Sequence, residues 1–251
     1  MRQEYAQRFA ARRAVVERVS GERVAIVTGA GRGIGAAVAA ELAGRGYRLA
    51  VLSPSGAPAA VREFDAVDIA GSVTNPSDLN RVVDAALQRF GRIDAVANST
   101  GHPPRGRVLE LTDAEWLAGL DLLLLNVVRM ARLVTPVFLR QGRGSVVNIS
   151  TFSAFEPSAA FPVSSVLRAA LAGFAKLYAD EYAAHGIRMN NVLPGFVESY
   201  PVDTDTVRRI PMGRPGTLVE IARTVAFLLG DDAGYITGQN IRADGGLTRS
   251  V

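Results

Sequence analysis

A strand-to-helix turn near the start of the chain constrains the fold more than any other feature. The apolar run Val24-Ala25-Ile26-Val27 leads into Thr28-Gly29-Ala30-Gly31-Arg32-Gly33-Ile34-Gly35, and an alanine-rich helical stretch at 36–43 follows. Gly29 can adopt the backbone angles of a sharp turn, and Gly33 has no Cβ to block a pyrophosphate. Gly35 lets the helix lie close on the strand, and that helix points its N-terminal amides at an anion. Glycine-rich turns are common in isolation. Strand, turn and helix in this order build a cradle for a dinucleotide phosphate.

The rest of the chain repeats the alternation. Short apolar runs at 24–27, 47–52, 66–69, 93–97, 145–149, 188–192 and 240–243 read as strands, with helices expected at 34–43, 77–90, 113–139, 162–185 and 218–229. Continuous apolar strands separated by helices imply a parallel sheet covered on both faces. Ser77 is the expected cap of the third-listed strand's following helix, and Thr112-Asp113-Ala114-Glu115 reads as a capping box. With no repeat or linker, 23–251 reads as a single doubly wound, Rossmann-type α/β domain with a parallel sheet of about seven strands. Ligands of such sheets bind beyond the carboxyl ends of the strands, which here means the segments 28–35, 53–56, 72–74, 98–101, 150–151 and 194–200.

Composition closes off other classes. The 251 residues are 48% apolar and 21% charged, enough for a full core, and they include no cysteine and two distant histidines, His102 and His185. A disulfide framework and a thiolate or zinc site are therefore not expected. The charge of +4 is scattered, and every basic residue except Lys176 is arginine, so no nucleic-acid face is expected. No membrane helix is expected either, because Asp121 and Asn126 interrupt the most apolar run; the expected location is the cytoplasm. Residues 1–22 interleave Arg2, Arg8, Arg12, Arg13 and Arg18 with Tyr5, Phe9, Val15 and Val16. They read as an N-terminal extension, either a short exposed helix or an unstructured lead, with membrane-surface contact the weaker alternative.

Taken in order, the motifs resemble those of the short-chain dehydrogenase/reductase family from Arg23 to the end. The glycine turn at 28–35 is one; Asn98-Ser99-Thr100-Gly101 stands where the family has Asn-Asn-Ala-Gly. Ser145-Val146-Val147-Asn148-Ile149-Ser150, Asn190-Asn191-Val192-Leu193-Pro194-Gly195, Ile236-Thr237-Gly238-Gln239 and Asp244-Gly245-Gly246 complete the set. The resemblance implies a nicotinamide dinucleotide held by Gly29, Arg32, Gly33, Ile34, Gly35, Ser53, Ser72, Val73, Asn98, Ser99, Gly101, Arg168, Pro194, Gly195, Val197 and Ser199. It also implies a small-molecule substrate and a homotetramer, paired through the long helices that carry Leu122, Leu124, Leu125 and Val128, and Leu171, Phe174 and Leu177.

The family's chemistry depends on an Asn-Ser-Tyr-Lys set, and here the pattern changes. The stretch 169–176 sets the register, placing Arg168 at the lysine position, Ser164 at the tyrosine position and Thr151 at the serine position; Leu123 falls at the asparagine position, with Asn126 a turn later. Arginine keeps a charge and a fork of donors, and threonine can still hydrogen-bond a carbonyl. A serine hydroxyl is a far weaker acid than a phenol, so the general acid is missing. His102 and Tyr200 are the candidate replacements. The alternatives are a loop histidine capping a backbone carbonyl and a tyrosine forming a pocket wall.

Ser53 ends the second strand where the family's NAD-selective members carry an acid, and Arg32 can pair with a 2′-phosphate, so NADP(H) is preferred over NAD(H). Ser72 stands where the family often has an aspartate near adenine. Two functions stay open: an NADP(H)-dependent carbonyl or alcohol oxidoreductase with an atypical proton donor, and a dinucleotide-binding sensor or inactive subunit without turnover.

Overall fold

The computed structural model describes residues 22–250 apart from Asp65; the expected extension at 1–22 lies outside the described residues except for Glu22. The chain runs β1 (Val24–Thr28), α1 (Gly33–Gly44), β2 (Arg48–Ser53), the short α2 (Ala59–Arg62), β3 (Val67–Ala70), α3 (Pro76–Phe90), β4 (Ala95–Asn98) and α4 (Asp113–Leu120). A π turn, Asp121–Leu125, joins α4 to α5 (Asn126–Gln141). Then come β5 (Gly144–Ile149), α6 (Pro162–Tyr182), β6 (Ile187–Pro194), α7 (Thr204–Arg209), α8 (Leu218–Leu229) and β7 (Asn240–Ala243). All seven strands form one sheet in the order β3-β2-β1-β4-β5-β6-β7. Every pairing is parallel.

Alternate residues of each strand face opposite helical layers. From β1, Ala25 and Val27 join Val38 and Leu42 of α1 and Ile221 and Val225 of α8. Val24 and Ile26 face the other way, among Leu79 and Val83 of α3, Met130, Val134 and Phe138 of α5, and Tyr178 of α6. The inner strands are covered on both faces, which is why they read as continuous apolar runs, whereas the edge strand β3 alternates half-buried and exposed positions.

Several boundaries depart from the sequence expectation for physical reasons. The cap of α3 is Asn75, not Ser77: its Oδ1 accepts from Ser77 N at 3.0 Å, and Pro76 occupies the first helical position, where its missing N–H costs nothing. The helix expected at 113–139 is interrupted by the π turn, although the Thr112 capping box forms as read. The joined run Asp113–Gln141 is 29 residues long and apolar enough to span a membrane, yet half of its most apolar window is buried inside the domain. It is a core helix whose Asp121 pairs with Arg129 at 2.6 Å. The short α2 and α7 were not expected, since four and six residues are too few to show a period.

A line of buried amides crosses half the sheet. Asn98 Nδ2 donates to Asn148 Oδ1 at 2.9 Å, Asn148 Nδ2 to Asn191 Oδ1 at 2.9 Å, and Asn191 Nδ2 to Asn240 Oδ1 at 2.8 Å. Each pair consists of register partners on neighbouring strands, β4 to β7. The ladder lies where these strands deliver their loops to the carboxyl edge.

Candidate active site

The sheet order reverses at β1, which pairs β2 on one side and β4 on the other, and this opens a crevice at their carboxyl ends. Two hydrogen bonds fasten its rims: Thr28 Oγ1 donates to Ser99 O at 2.8 Å and accepts from Ser99 N at 3.0 Å. The glycine turn is built for close approach. Gly29 has φ +61°, and a Cβ there would lie 2.7 Å from Ser99 O; a Cβ on Gly35 would lie 2.2 Å from Gly29 O. Gly33, at φ +57°, faces open space. Arg32 caps α1 without a side-chain hydrogen bond, and no acid stands in the first turn of that helix. Its N-terminal amides and Arg32 thus present unopposed positive charge.

Beyond this turn lies a cleft of about 840 Å³. It brings together Arg32, Gly33 and Ile34 from the turn, and Ser99, Gly101 and His102 after β4. Thr151, Ser164 and Arg168 line its floor, and Pro194, Gly195, Val197, Ser199 and Tyr200 line its far side. Gly29, Gly35, Ser53, Ser72, Val73 and Asn98 are not part of its wall. Asn98 is buried in the amide ladder, so its side chain serves the sheet. Ser53 is buried as well, its Oγ donating to Gly56 O at 2.7 Å, so the hydroxyl shapes the turn rather than facing a ligand. Val73 belongs to the core.

Two carboxylates invisible in the local sequence reach this rim. Asp68 of β3 accepts from Ala57 N at 2.8 Å and lies 3.8 Å from Arg62, beside the 53–56 turn. That corrects the expectation of a turn without an acid, although the neighbouring Arg62 offsets the charge. Asp78 of α3 accepts from Ser72 N at 2.9 Å and from Arg81 at 2.7 Å, while Ser72 Oγ pairs with Thr74 Oγ1 at 2.8 Å.

The floor of the cleft carries a buried cation. Arg168 donates to Ile149 O and, at 3.2 Å, to Thr100 Oγ1, but its buried Nε has no partner. Burial pushes its pKa down to about 10, and no carboxylate pairs with it among the described residues. A buried charge with an open donor calls for an acceptor from a ligand. Thr151 lies near it, its Oγ1 only weakly engaged with Ser153 at 3.4 Å. Ser164 Oγ makes no hydrogen bond among the described residues. Leu123 sits fully buried with Leu111, Val163 and Leu167, and the Asn126 amide turns back onto Leu122 O, so no amide reaches the cleft from the π turn.

The two candidate acids meet. His102 Nε2 and Tyr200 Oη are 2.8 Å apart, and the rings pack edge to face at 4.9 Å between centroids. The partner of His102 is therefore a phenol and not a backbone carbonyl. Partial burial, followed by the charges of Arg105, Arg168 and Arg32, holds its pKa below 6.5 and keeps the imidazole neutral at pH 7.

A second cavity, of about 640 Å³, lies at the amino-terminal edge of the sheet. Its arginines are already committed: Arg23 and Arg143 to Asp231, and Arg188 to the carbonyls of Leu228, Leu229, Gly230 and Ile236.

Known proteins match the chain over nearly its whole length. A family model described as enoyl-(acyl carrier protein) reductase matches residues 29–248. The 3-oxoacyl-[acyl-carrier-protein] reductase of Synechocystis is 32% identical, covering 90% of this chain and 96% of its own. The short-chain reductase protein NovJ of Streptomyces niveus is 34% identical, covering 91% and 95%. The chain belongs to the short-chain dehydrogenase/reductase family. Among solved structures, the TT0495 protein from Thermus thermophilus matches at a TM-score of 0.83 and 35% identity, over 90% of this chain and 99% of that one. In YwfH, an NADPH-dependent reductase involved in bacilysin biosynthesis, the fold is shared at a TM-score of 0.84 and 24% identity, over 92% and 100%.

Within this short-chain dehydrogenase/reductase fold, sequence reasoning passed over Thr100 and Arg105 as cleft residues, while Phe161, which could equally be read as pocket or core, lines the cleft. Thr100 holds Arg168, and the guanidinium of Arg105 lies 5.1 Å from the centre of the Phe161 ring. Thr100 sits inside a motif that was read, but its partner lies on α6. Arg105 follows Pro103-Pro104, a pair that marks a shaped loop and gives no sign of what it faces.

Proposed function

We propose that the protein is an NADP(H)-dependent oxidoreductase that interconverts a small carbonyl compound and the corresponding alcohol, using His102 and Tyr200 as its proton donor. The observation that carries this reading is the 2.8 Å contact between those two groups in the same cleft as Thr151 and Arg168. A bound nicotinamide supplies the hydride. The open face of Gly33, the free amides of α1 and the orphaned Nε of Arg168 fit such a dinucleotide.

Thr151 donates to the carbonyl oxygen and orients it. Tyr200 Oη passes its proton to that oxygen as the carbon is reduced, so the product is a neutral alcohol. Neutral His102 donates Nε2–H to the phenolate left behind, and solvent returns the proton. Arg168 lends its positive charge to the floor of the site, where it would hold the cofactor.

The proposed NADP(H) selectivity rests on Arg32, with Arg62 offsetting the charge of Asp68 beside the 53–56 turn. Arg32→Ala is expected to weaken NADPH binding by about 10- to 100-fold, since a hydrogen bond to a charged group is worth about 1.5–3 kcal/mol. NADH binding should change little. Fluorescence titration of both cofactors measures this, and equal losses for the two would remove Arg32 from the phosphate site.

The function itself is tested by NADPH oxidation against a panel of ketones and aldehydes. Tight NADPH binding with no turnover across the panel would favour the second reading, a dinucleotide-binding protein without redox chemistry.

We also propose a homotetramer. Leu171 is fully buried within the chain and so is no contact residue, whereas Phe174 stays partly exposed and joins Val166 and Leu177, 54% and 69% exposed, on the apolar face of α6. Light scattering at micromolar concentration should give four times the chain mass, and a stable monomer would end this proposal.

A further inference from the structure

The cleft wall holds three arginines, Arg32, Arg105 and Arg168, together with His102, and no aspartate or glutamate. Two of the cations have places assigned. Arg32 stands at the glycine turn, and Arg168 is anchored to Ile149 O and Thr100. Arg105 makes no hydrogen bond or ion pair among the described residues. Its neighbour Arg107 pairs with Glu110 at 3.3 Å, so the loop contains an acid that Arg105 does not use.

Arg105 is nonetheless held in place. Pro103 and Pro104 stiffen its approach, and its guanidinium packs over Phe161, the residue preceding α6. Ser164 lies one turn further along that helix and faces the same cleft. A cation fixed by stacking keeps its donors available, because the aromatic face takes none of them. It lies three residues from His102, a chain reach of at most about 10 Å. A short molecule can therefore touch both.

We infer that Arg105 is a specificity-determining residue that binds the carboxylate of the substrate, and that the preferred substrates are short oxo acids rather than neutral ketones or aldehydes. This rests on the reductase reading of the site. The planar guanidinium fork matches a carboxylate in two parallel hydrogen bonds, and one free cation balances one carboxylate charge. The same field acts on His102, so binding the carboxylate removes part of the positive charge facing the imidazole.

The test pairs each acid with its methyl ester. Calorimetric titration of the NADP⁺-saturated protein with 2-, 3- and 4-oxo acids of three to ten carbons, and with their esters, reads binding without requiring turnover. At least one acid should bind about 10- to 100-fold more tightly than its ester. Arg105→Leu should erase that difference while leaving ester and NADPH affinities unchanged, and Arg105→Lys should restore part of it. Because Arg105 is exposed, its replacement removes no core contact.

Equal binding of every acid and its ester, or an Arg105→Leu loss shared by both, would overturn the inference. Steady-state NADPH oxidation then separates the two proposals. Acids that bind through Arg105 without being reduced would uphold the anion site and defeat the reductase. Neutral carbonyls reduced with no acid preference would uphold the reductase and defeat the anion site.

Discussion

Tyr200→Phe should lower kcat for carbonyl reduction by about 10²-fold or more at unchanged NADPH affinity, because general acid catalysis contributes about 10²- to 10⁴-fold. His102→Ala should produce a loss of similar size. The double variant should be little worse than either single one, as expected of groups that act as a unit. The pH profile supplies a second reading. Burial and three arginines hold the His102 pKa below 6.5, so the neutral imidazole that supports Tyr200 persists from pH 8 down past 6.5. The kcat plateau should change only below that point, where His102 gains a full positive charge beside Tyr200, and the change should vanish in His102→Asn. The same shift has a stability sign: the unfolded chain binds the proton more readily, so this group's contribution is complete above pH 6.5 and is lost as pH falls through the folded value. If neither substitution alters the rate, proton donation by this pair is wrong.

Asn148→Ala should destabilise the fold by about 2–5 kcal/mol, a large part of the roughly 5–15 kcal/mol that holds a domain together. The loss is large because Asn148 is the middle of the ladder, donating to Asn191 and accepting from Asn98. Its removal leaves a buried donor on one neighbour and a buried acceptor on the other, in a site with no access to water. Urea denaturation should show a lowered midpoint at an unchanged slope. A change below about 1 kcal/mol would mean that the neighbours find other partners.

The ladder also shows which parts of the molecule were legible in the sequence. The inner strands could be found because both faces are buried, and their unbroken apolar runs bounded by helices leave one sheet class. Asn98, Asn148, Asn191 and Asn240 were all visible, but their alignment depends on register across four strands, and no local pattern records that. Asp68 and Asp78 went unseen for the same reason: β3 and α3 carry them to a rim whose sequence lies elsewhere. The glycine turn was legible because its geometry is local. Gly29 and Gly35 each meet backbone within the crevice, and Gly33 meets nothing.

That Ser164 and Arg168 share one face of a helix was legible from their spacing, and both line the cleft. The pair proposed to take the place of the acid was only half legible. His102 and Tyr200 could each be picked out by proximity to a loop motif, but they lie 98 positions apart, and the contact exists only in the fold. Ser77 and Leu171 were misread because capping and burial depend on one neighbour more than the local pattern considers. Pro76 moves the helix start to Asn75, and Leu171 is fully buried within the chain.

An acid carried on a helix is present whether or not anything is bound. Under the proposed chemistry its two halves come from the loops that follow β4 and β6, both of which line the cleft with Thr151. A group divided in this way can be lost through either loop, so a change that shifts the backbone after β4 should cost the same activity as one that shifts it after β6.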